Sequence, residues 1–304
     1  MSSWSAPNAG DPFVGLTAIP ETGDSPDELP ERRPGFWIRF LHQRWAVAGV
    51  IFLLIVILAA IFAPLIAPYN PLAQQFNILA SPSAAHWFGT DPLGRDVLSR
   101  VITGARYILI ITPLATLLGT VLGTALGLAM GYLGGAFDAV AGRLVEAVLA
   151  LPFVIIAFMF VVALGPSVPV ITVVIGLVFT PLIARTVRTA VLVERHMDYV
   201  PAARLLGENS SRVMFAEILP NVLPAILVEF TVRLGYAVFA VATLSFLGFG
   251  IQPPTPDWGA DIAANYIGLP AGYWWQVLFP ALAIASLVTG VILIADSIEQ
   301  VLAS

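Results

Sequence analysis

No cysteine occurs in the chain, so no disulfide can staple it, no thiolate can hold a metal and no thiol can act as a nucleophile. Lysine is absent as well: all 14 basic residues are arginine. A phosphate-binding P-loop places a lysine on the phosphates, so the chain is not expected to hydrolyse ATP by that route. Charge is scarce altogether, at 11% of residues against 58% hydrophobic, where soluble domains carry about 25% charged residues. With a mean hydropathy of +0.89 the chain cannot cover itself with a water-facing surface, and lipid must be its solvent. The three histidines, His42, His86 and His196, are scattered, and no Gly-x-Ser-x-Gly elbow occurs. An intramembrane enzyme is therefore poorly supported. No catalytic residue, metal site or cofactor is expected in this chain.

The net charge of −5 misleads. Residues 1–31 hold six acids (Asp11, Glu21, Asp24, Asp27, Glu28 and Glu31) and no base, so the 14 arginines face only 13 acids over the rest. This acidic stretch, taken as 1–35, reads as a disordered cytoplasmic tail. It lacks the basic start and early apolar core of a signal peptide.

What is abundant is apolar sequence. A helix needs about 20 apolar residues to cross a bilayer core, and six runs qualify, at about 45–67, 107–133, 147–164, 168–184, 222–248 and 277–295. Six spans put both termini on one side, and arginine placement says which. Arg32, Arg33, Arg39 and Arg44 precede the first run, Arg143 lies between the second and third, and Arg185, Arg188, Arg195, Arg204 and Arg212 lie between the fourth and fifth. The other side has only Arg95, Arg100 and Arg106. The bias predicts both termini in the cytoplasm. Two sizeable external segments follow, 68–106 and 251–276. The second, with Pro253, Pro254, Pro256, Trp258 and Trp275, reads as an ordered cap with an interfacial aromatic belt.

Within the second run, Ala115, Gly119, Gly123, Gly127, Gly131 and Gly135 recur every four residues. That spacing keeps them near one helix face and admits another helix closely. The face serves either packing within the chain or contact with a partner subunit or moving gate helix. Glu229 and Arg233 stand four apart in the fifth run. Charges in a membrane are costly and either pair or line a polar cavity. An i,i+4 pair can satisfy itself, so both a structural bridge and a pathway-lining role stay open. An ion-coupled secondary transporter or channel would show more intramembrane carboxylates than this.

The most informative segment lies between the fourth and fifth runs: Asp198-Tyr199-Val200-Pro201-Ala202-Ala203-Arg204-Leu205-Leu206-Gly207, then Arg212, then Ile218-Leu219-Pro220-Asn221. It predicts a short helix, a glycine turn, a second short helix and a proline-marked entry into the fifth span. Small Ala202 and Ala203 would let the first helix sit in a groove on another protein. The stretch resembles the EAA loop of ABC-importer permeases, with Pro201 where that family usually has glutamate. Proline is tolerated in a first helical turn. His86-Trp87-Phe88-Gly89-Thr90-Asp91-Pro92-Leu93-Gly94-Arg95-Asp96, Leu244-Ser245-Phe246-Leu247-Gly248 and Gln252-Pro253-Pro254-Thr255-Pro256-Asp257-Trp258-Gly259 are similar to the C-type permease of the dipeptide/oligopeptide branch. The likeness covers roughly 36–296. It departs at Val241, where many members have an acid, and at Asp296-Ser297-Ile298-Glu299, in a tail usually richer in arginine and aspartate.

The resemblance implies an all-α membrane protein, a six-helix ABC-importer permease bundle over 36–304 in a bacterial inner membrane. It implies alternating access driven by two separate ATPase subunits that hold the ATP and Mg. A homologous second permease and an extracytoplasmic solute-binding protein complete the complex. Residues Tyr199, Val200, Pro201, Ala202, Ala203, Arg204, Leu206 and Gly207 would form the helix that docks into an ATPase. Peptide-like substrates lead; nickel chelates, glutathione and other small solutes remain alternatives within the branch.

Overall fold

Prolines and glycines decide where the apolar runs stop being helix. The computed structural model describes residues 36–303, so the expected acidic tail at 1–35 lies outside the described residues. Helix α1 is Phe36–His42 and α2 is Arg44–Ile61. The first run was expected to continue to 67, but it breaks at Phe62 and resumes only as the short α3, Ala63–Ile66, with Pro64 in its first turn. Proline fits there because the first helical N–H groups have no intrahelical partner. Helix α4, Val97–Leu133, starts ten residues before the expected 107. The Asp96 side chain caps it, accepting from Ser99 N–H at 2.8 Å.

The third run is not one helix. Helix α5 is Gly135–Leu149 and α6 is Phe153–Leu164, and the pair bends by 87° across Ala150-Leu151-Pro152. Twelve residues of α6 cover about 18 Å, short of a bilayer core of ~30 Å, so α6 alone does not cross it. The expected 147–164 span is corrected to a broken one. Helix α7, Val168–Glu194, continues ten residues past the expected end at 184. Helices α8, Tyr199–Leu205, and α9, Ser210–Arg212, follow, and a π-helical turn, Val213–Ile218, leads into α10, Leu219–Phe246. Helix α11, Trp258–Asn265, and a 3₁₀ segment, Tyr266–Ala271, precede α12, Trp275–Ala303. Among the described residues the only β pairing is an isolated bridge between Thr90 and Asp96. Among the described residues five helices are long and apolar enough to cross a membrane, or six if the bent α5–α6 pair counts as one span.

The tightest packing joins α4 and α7, which run parallel. A Cβ placed on Gly119 would lie 2.8 Å from the Gly176 carbonyl oxygen. One on Gly123 would lie 2.8 Å from the Thr180 oxygen and 2.7 Å from Ile183 Cβ. One on Gly127 would lie 2.7 Å from the Ala184 oxygen, and one on Gly131 2.7 Å from Val191 Cβ. The four-residue ladder is therefore filled by a helix of the same chain. Most of these obstacles are backbone or Cβ atoms, which cannot swing aside.

At the end where α4 and α12 begin, one ion pair fastens the 249–275 segment to α4 and others hold the segment before α4 in shape. The buried Arg100 guanidinium pairs with the buried Asp261 carboxylate, 161 residues away. Arg95 pairs with Asp91 at 2.6 Å, and His86 bonds Asp96 at 2.9 Å. Burial pushes the Asp261 carboxyl above its ordinary range, against the opposing pull of Arg100. Trp258 and Trp275, expected in an interfacial belt, are instead buried. Their indole N–H groups donate to the Val101 carbonyl at 2.8 Å and the Thr90 carbonyl at 3.0 Å. A buried indole needs such a partner; α4 supplies one through Val101 and the segment before α4 supplies the other through Thr90.

The α4–α7 seam makes a direct test. Gly123→Leu and Gly127→Leu should each abolish recovery of folded protein, because the smallest side chain already overpacks by about 1–3 kcal/mol. Gly142→Ala is the control, since its Cβ would meet only a methionine methyl at 3.8 Å. Yield and thermal stability of the detergent-purified protein are the measurements.

Candidate functional site

The segment 195–218 is built as a compact structured link between α7 and α10. Helix α8 ends in a full Schellman turn: Gly207 N–H donates to Arg204 O at 3.0 Å, and Glu208 N–H to Ala203 O at 3.2 Å. Gly207 takes φ +83°, the left-handed conformation that this turn requires. Asn209 then caps α9, accepting from Arg212 N–H at 2.8 Å, and Arg212 pairs with Glu208 at 3.2 Å. Pro220 has no N–H for an ordinary helical bond and its ring would strike the carbonyl four residues back. The chain widens just ahead of it into the π turn, where Leu219 N–H reaches Met214 O. The Asn221 amide takes up the Glu217 carbonyl at 2.9 Å.

Helix α8 has two different faces. Val200 and Ala203, three apart, are 1% and 8% exposed and join the main hydrophobic core with Val213 and Ile218. Pro201, Ala202, Arg204, Leu206 and Gly207 are exposed. Both alanines were expected to face a partner's groove; only Ala202 faces outward, and Ala203 packs inward. Leu205, absent from the expected set, is 89% exposed beside Leu206 at 84%. Helical periodicity carried that signal, since 202 and 205 share the face opposite the 200/203 pair.

Polar contacts fasten this unit to the ends of α4 and α7. The Tyr199 hydroxyl donates to Glu194 Oε2 at 2.8 Å. Burial, and then that carboxylate, push the phenol above its ordinary pKa. Arg204 reaches the Tyr132 hydroxyl at 3.2 Å with its guanidinium 4.7 Å from the ring centroid. Arg195 donates to the Gly131 carbonyl at 2.9 Å, at the foot of the glycine ladder. Arg188 binds Asp138 through two nitrogens at 2.5 and 2.7 Å, tying α5 to α7.

On α10, Arg233 Nε donates to Glu229 Oε1 at 2.6 Å, and the guanidinium lies 5.4 Å from the Tyr236 ring centroid. Both side chains are largely buried, at 17% and 12% exposure. Among the described residues no group of three or more metal-ligating side chains comes together.

A sequence model for the inner membrane component of binding-protein-dependent transport systems matches residues 123–304, which contain α5 to α12 and the whole of the 195–218 link. The chain belongs to that family. A second model, for the N-terminal transmembrane domain of oligopeptide transport permease C, matches residues 35–82. The chain is 42% identical over 275 residues to the dipeptide transport system permease protein DppC of Escherichia coli K12, covering 88% of this chain and 91% of the relative. It is 37% identical over 276 residues to the di/tripeptide transport system permease protein DppC of Pseudomonas aeruginosa UCBPP-PA14, covering 88% and 90%. It is 36% identical over 294 residues to the glutathione transport system permease protein GsiD of Escherichia coli O1:K1, covering 94% of each chain. The protein is thus a membrane transport subunit, and its helices are those of an inner-membrane permease.

Substitutions at two places probe this geometry. Gly207→Ala should cost about 1–2 kcal/mol from left-handed strain alone, since nothing lies within 4 Å of the new Cβ. Gly207→Val should cost more, and both read out as lowered thermal stability. On α10, Glu229→Gln or Arg233→Gln should each cost about 3 kcal/mol or more by stranding a charge. The double substitution should cost less than either single one, and stability measured on all three variants closes the cycle. Additive losses would mean that the two groups act independently.

Proposed function

We propose that this permease is one of a pair of membrane subunits in an ATP-driven importer of short peptides, and that α8 is where its ATPase acts. The observation that carries the reading is the pair of outward leucines, Leu205 and Leu206, on a helix whose other face is anchored in the core. Exposed apolar side chains next to each other on a rigid element suit a cleft on a partner protein. Energy has to arrive by such contact, because a chain without lysine has no P-loop of its own.

Movement of α8 would then be passed to α7 and α10 through the Schellman and π turns, and to α4 through Arg204 and Tyr132. Repositioning these helices would open the bundle to alternate sides of the membrane. The arginine bias supports a cytoplasmic location for the α8 end and both termini. A second permease would complete the pathway, and a solute-binding protein would deliver the cargo at the end covered by segments 68–96 and 249–275. Peptide cargo is supported by the names of two relatives, and the third, a glutathione permease, points to another small peptide-like solute. ATP and Mg would sit on the ATPase subunits.

The test uses the assembled complex in liposomes. Leu205→Asp and Leu206→Asp alter exposed side chains and should leave membrane insertion and helix content unchanged. They should release the ATPase subunits on purification, or reduce peptide-stimulated ATP hydrolysis at least tenfold. Wild-type levels of both in the two variants would disprove the docking role. Peptide uptake that follows an imposed proton or sodium gradient without ATP would disprove the importer class.

A further inference from the structure

A cavity of about 650 Å³ opens between α2, α3, α4, α10 and α12. Thirteen of its fifteen lining residues are apolar, among them Leu53, Ile57, Leu109, Val238 and Leu287. The two exceptions are Arg106 and Thr112, both on α4. Arg106 stands at the end of the cleft nearest the polar segment that precedes α4. It is exposed, and among the described residues it has no hydrogen bond or ion pair. Thr112 lies six residues deeper, about 9 Å along the helix. It is 5% exposed, and its hydroxyl has no partner. The buried hydroxyls of Thr116, Thr120 and Thr124 on the same helix are likewise without a partner among the described residues.

We propose that this cleft binds an anionic phospholipid, with an acyl chain along the apolar wall and the phosphate on Arg106. The cleft extends from Leu53 to Pro64 on α2 and α3, about 16 Å at helical rise, which suits a fatty chain. A spanning helix from another subunit, ~10 Å across and ~30 Å long, would need on the order of 2,000 Å³, far more than the cleft offers. A hydrophilic peptide would leave its backbone groups unpaired against these walls. The lone cation at the lipid-facing mouth selects negative charge, and nothing in this assignment depends on what the permease transports.

The experiment takes the chain purified from the inner membrane with its accompanying subunits in mild detergent and reads bound lipid by native mass spectrometry. After exhaustive washing, the wild type should retain phospholipid, and added phosphatidylglycerol should displace phosphatidylcholine. Arg106→Gln should still hold an acyl chain but lose about fivefold of the preference for phosphatidylglycerol, the factor that one interfacial arginine contributes. Ile57→Trp, which fills the cleft from its less buried wall, should expel the lipid while the protein stays folded. Because the chain has no cysteine, Ile57→Cys can carry a single photoreactive label, and its adduct should be lipid. Absence of retained lipid in the wild type, an unchanged preference in Arg106→Gln, or an adduct to another subunit would each overturn the proposal.

Discussion

The contact between α4 and α7 is the constraint on which the other helices are arranged. Glycines at 119, 123, 127 and 131 bring the two backbones so close that an added methyl group would strike carbonyl oxygens and Cβ atoms. Lipid tails are as apolar as leucine, so hydrophobic burial does little to drive helices together inside a bilayer. Close van der Waals packing must do that work, and it grows with the length of matched surface. Parallel α4 and α7 provide that length, α10 packs against both, and α12 packs on α10 and α2. The broken third span follows as well: two parallel neighbours need an intervening segment that returns across the membrane, and α5 and α6 supply it with a bend.

The two ends of this seam are fastened by different chemistry. At one end, buried ion pairs and indole hydrogen bonds fold the segments 68–96 and 249–275 onto the helix starts. At the other, Arg195, Arg204 and Tyr199 hold α8 against the ends of α4 and α7. Buried charges bring little net stability. A buried bidentate pair such as Arg100–Asp261 is nevertheless demanding in geometry, and it admits one docking of the 249–275 segment on α4.

Much of this was readable beforehand, and the failures have physical causes. The positions of the spans, the glycine ladder and the helix–glycine–helix link all follow local spacing rules. The start of α4 did not, because the apolar run begins only after Arg106, whereas the helix also takes in Arg100 and Arg106. Arg100 is neutralised by Asp261, which lies far away in sequence. The end of α7 was set too early for a similar reason: Arg185 and Arg188 end an apolar run but not a helix, and Arg188 is satisfied by Asp138. The kink between α5 and α6 comes from Pro152, whose ring disfavours helical conformation in the residue before it. The inward turn of Trp258 and Trp275 depends on the Val101 and Thr90 carbonyls, distant in sequence, whose positions no local pattern reveals. Leu205 could have been found, since the 200/203 spacing leaves it on the outer face.

The π turn at Val213–Ile218 and the Schellman turn at Gly207 together leave the 195–218 link with almost no slack. Backbone hydrogen bonds run nearly without interruption from the last turn of α7 to the first of α10, and no stretch of free coil can absorb a displacement by uncoiling. Such a link behaves as a stiff bracket rather than a tether. A load applied at its outer face is divided between two helices at once, and the share that each one takes is set by the stiffness of its own turn.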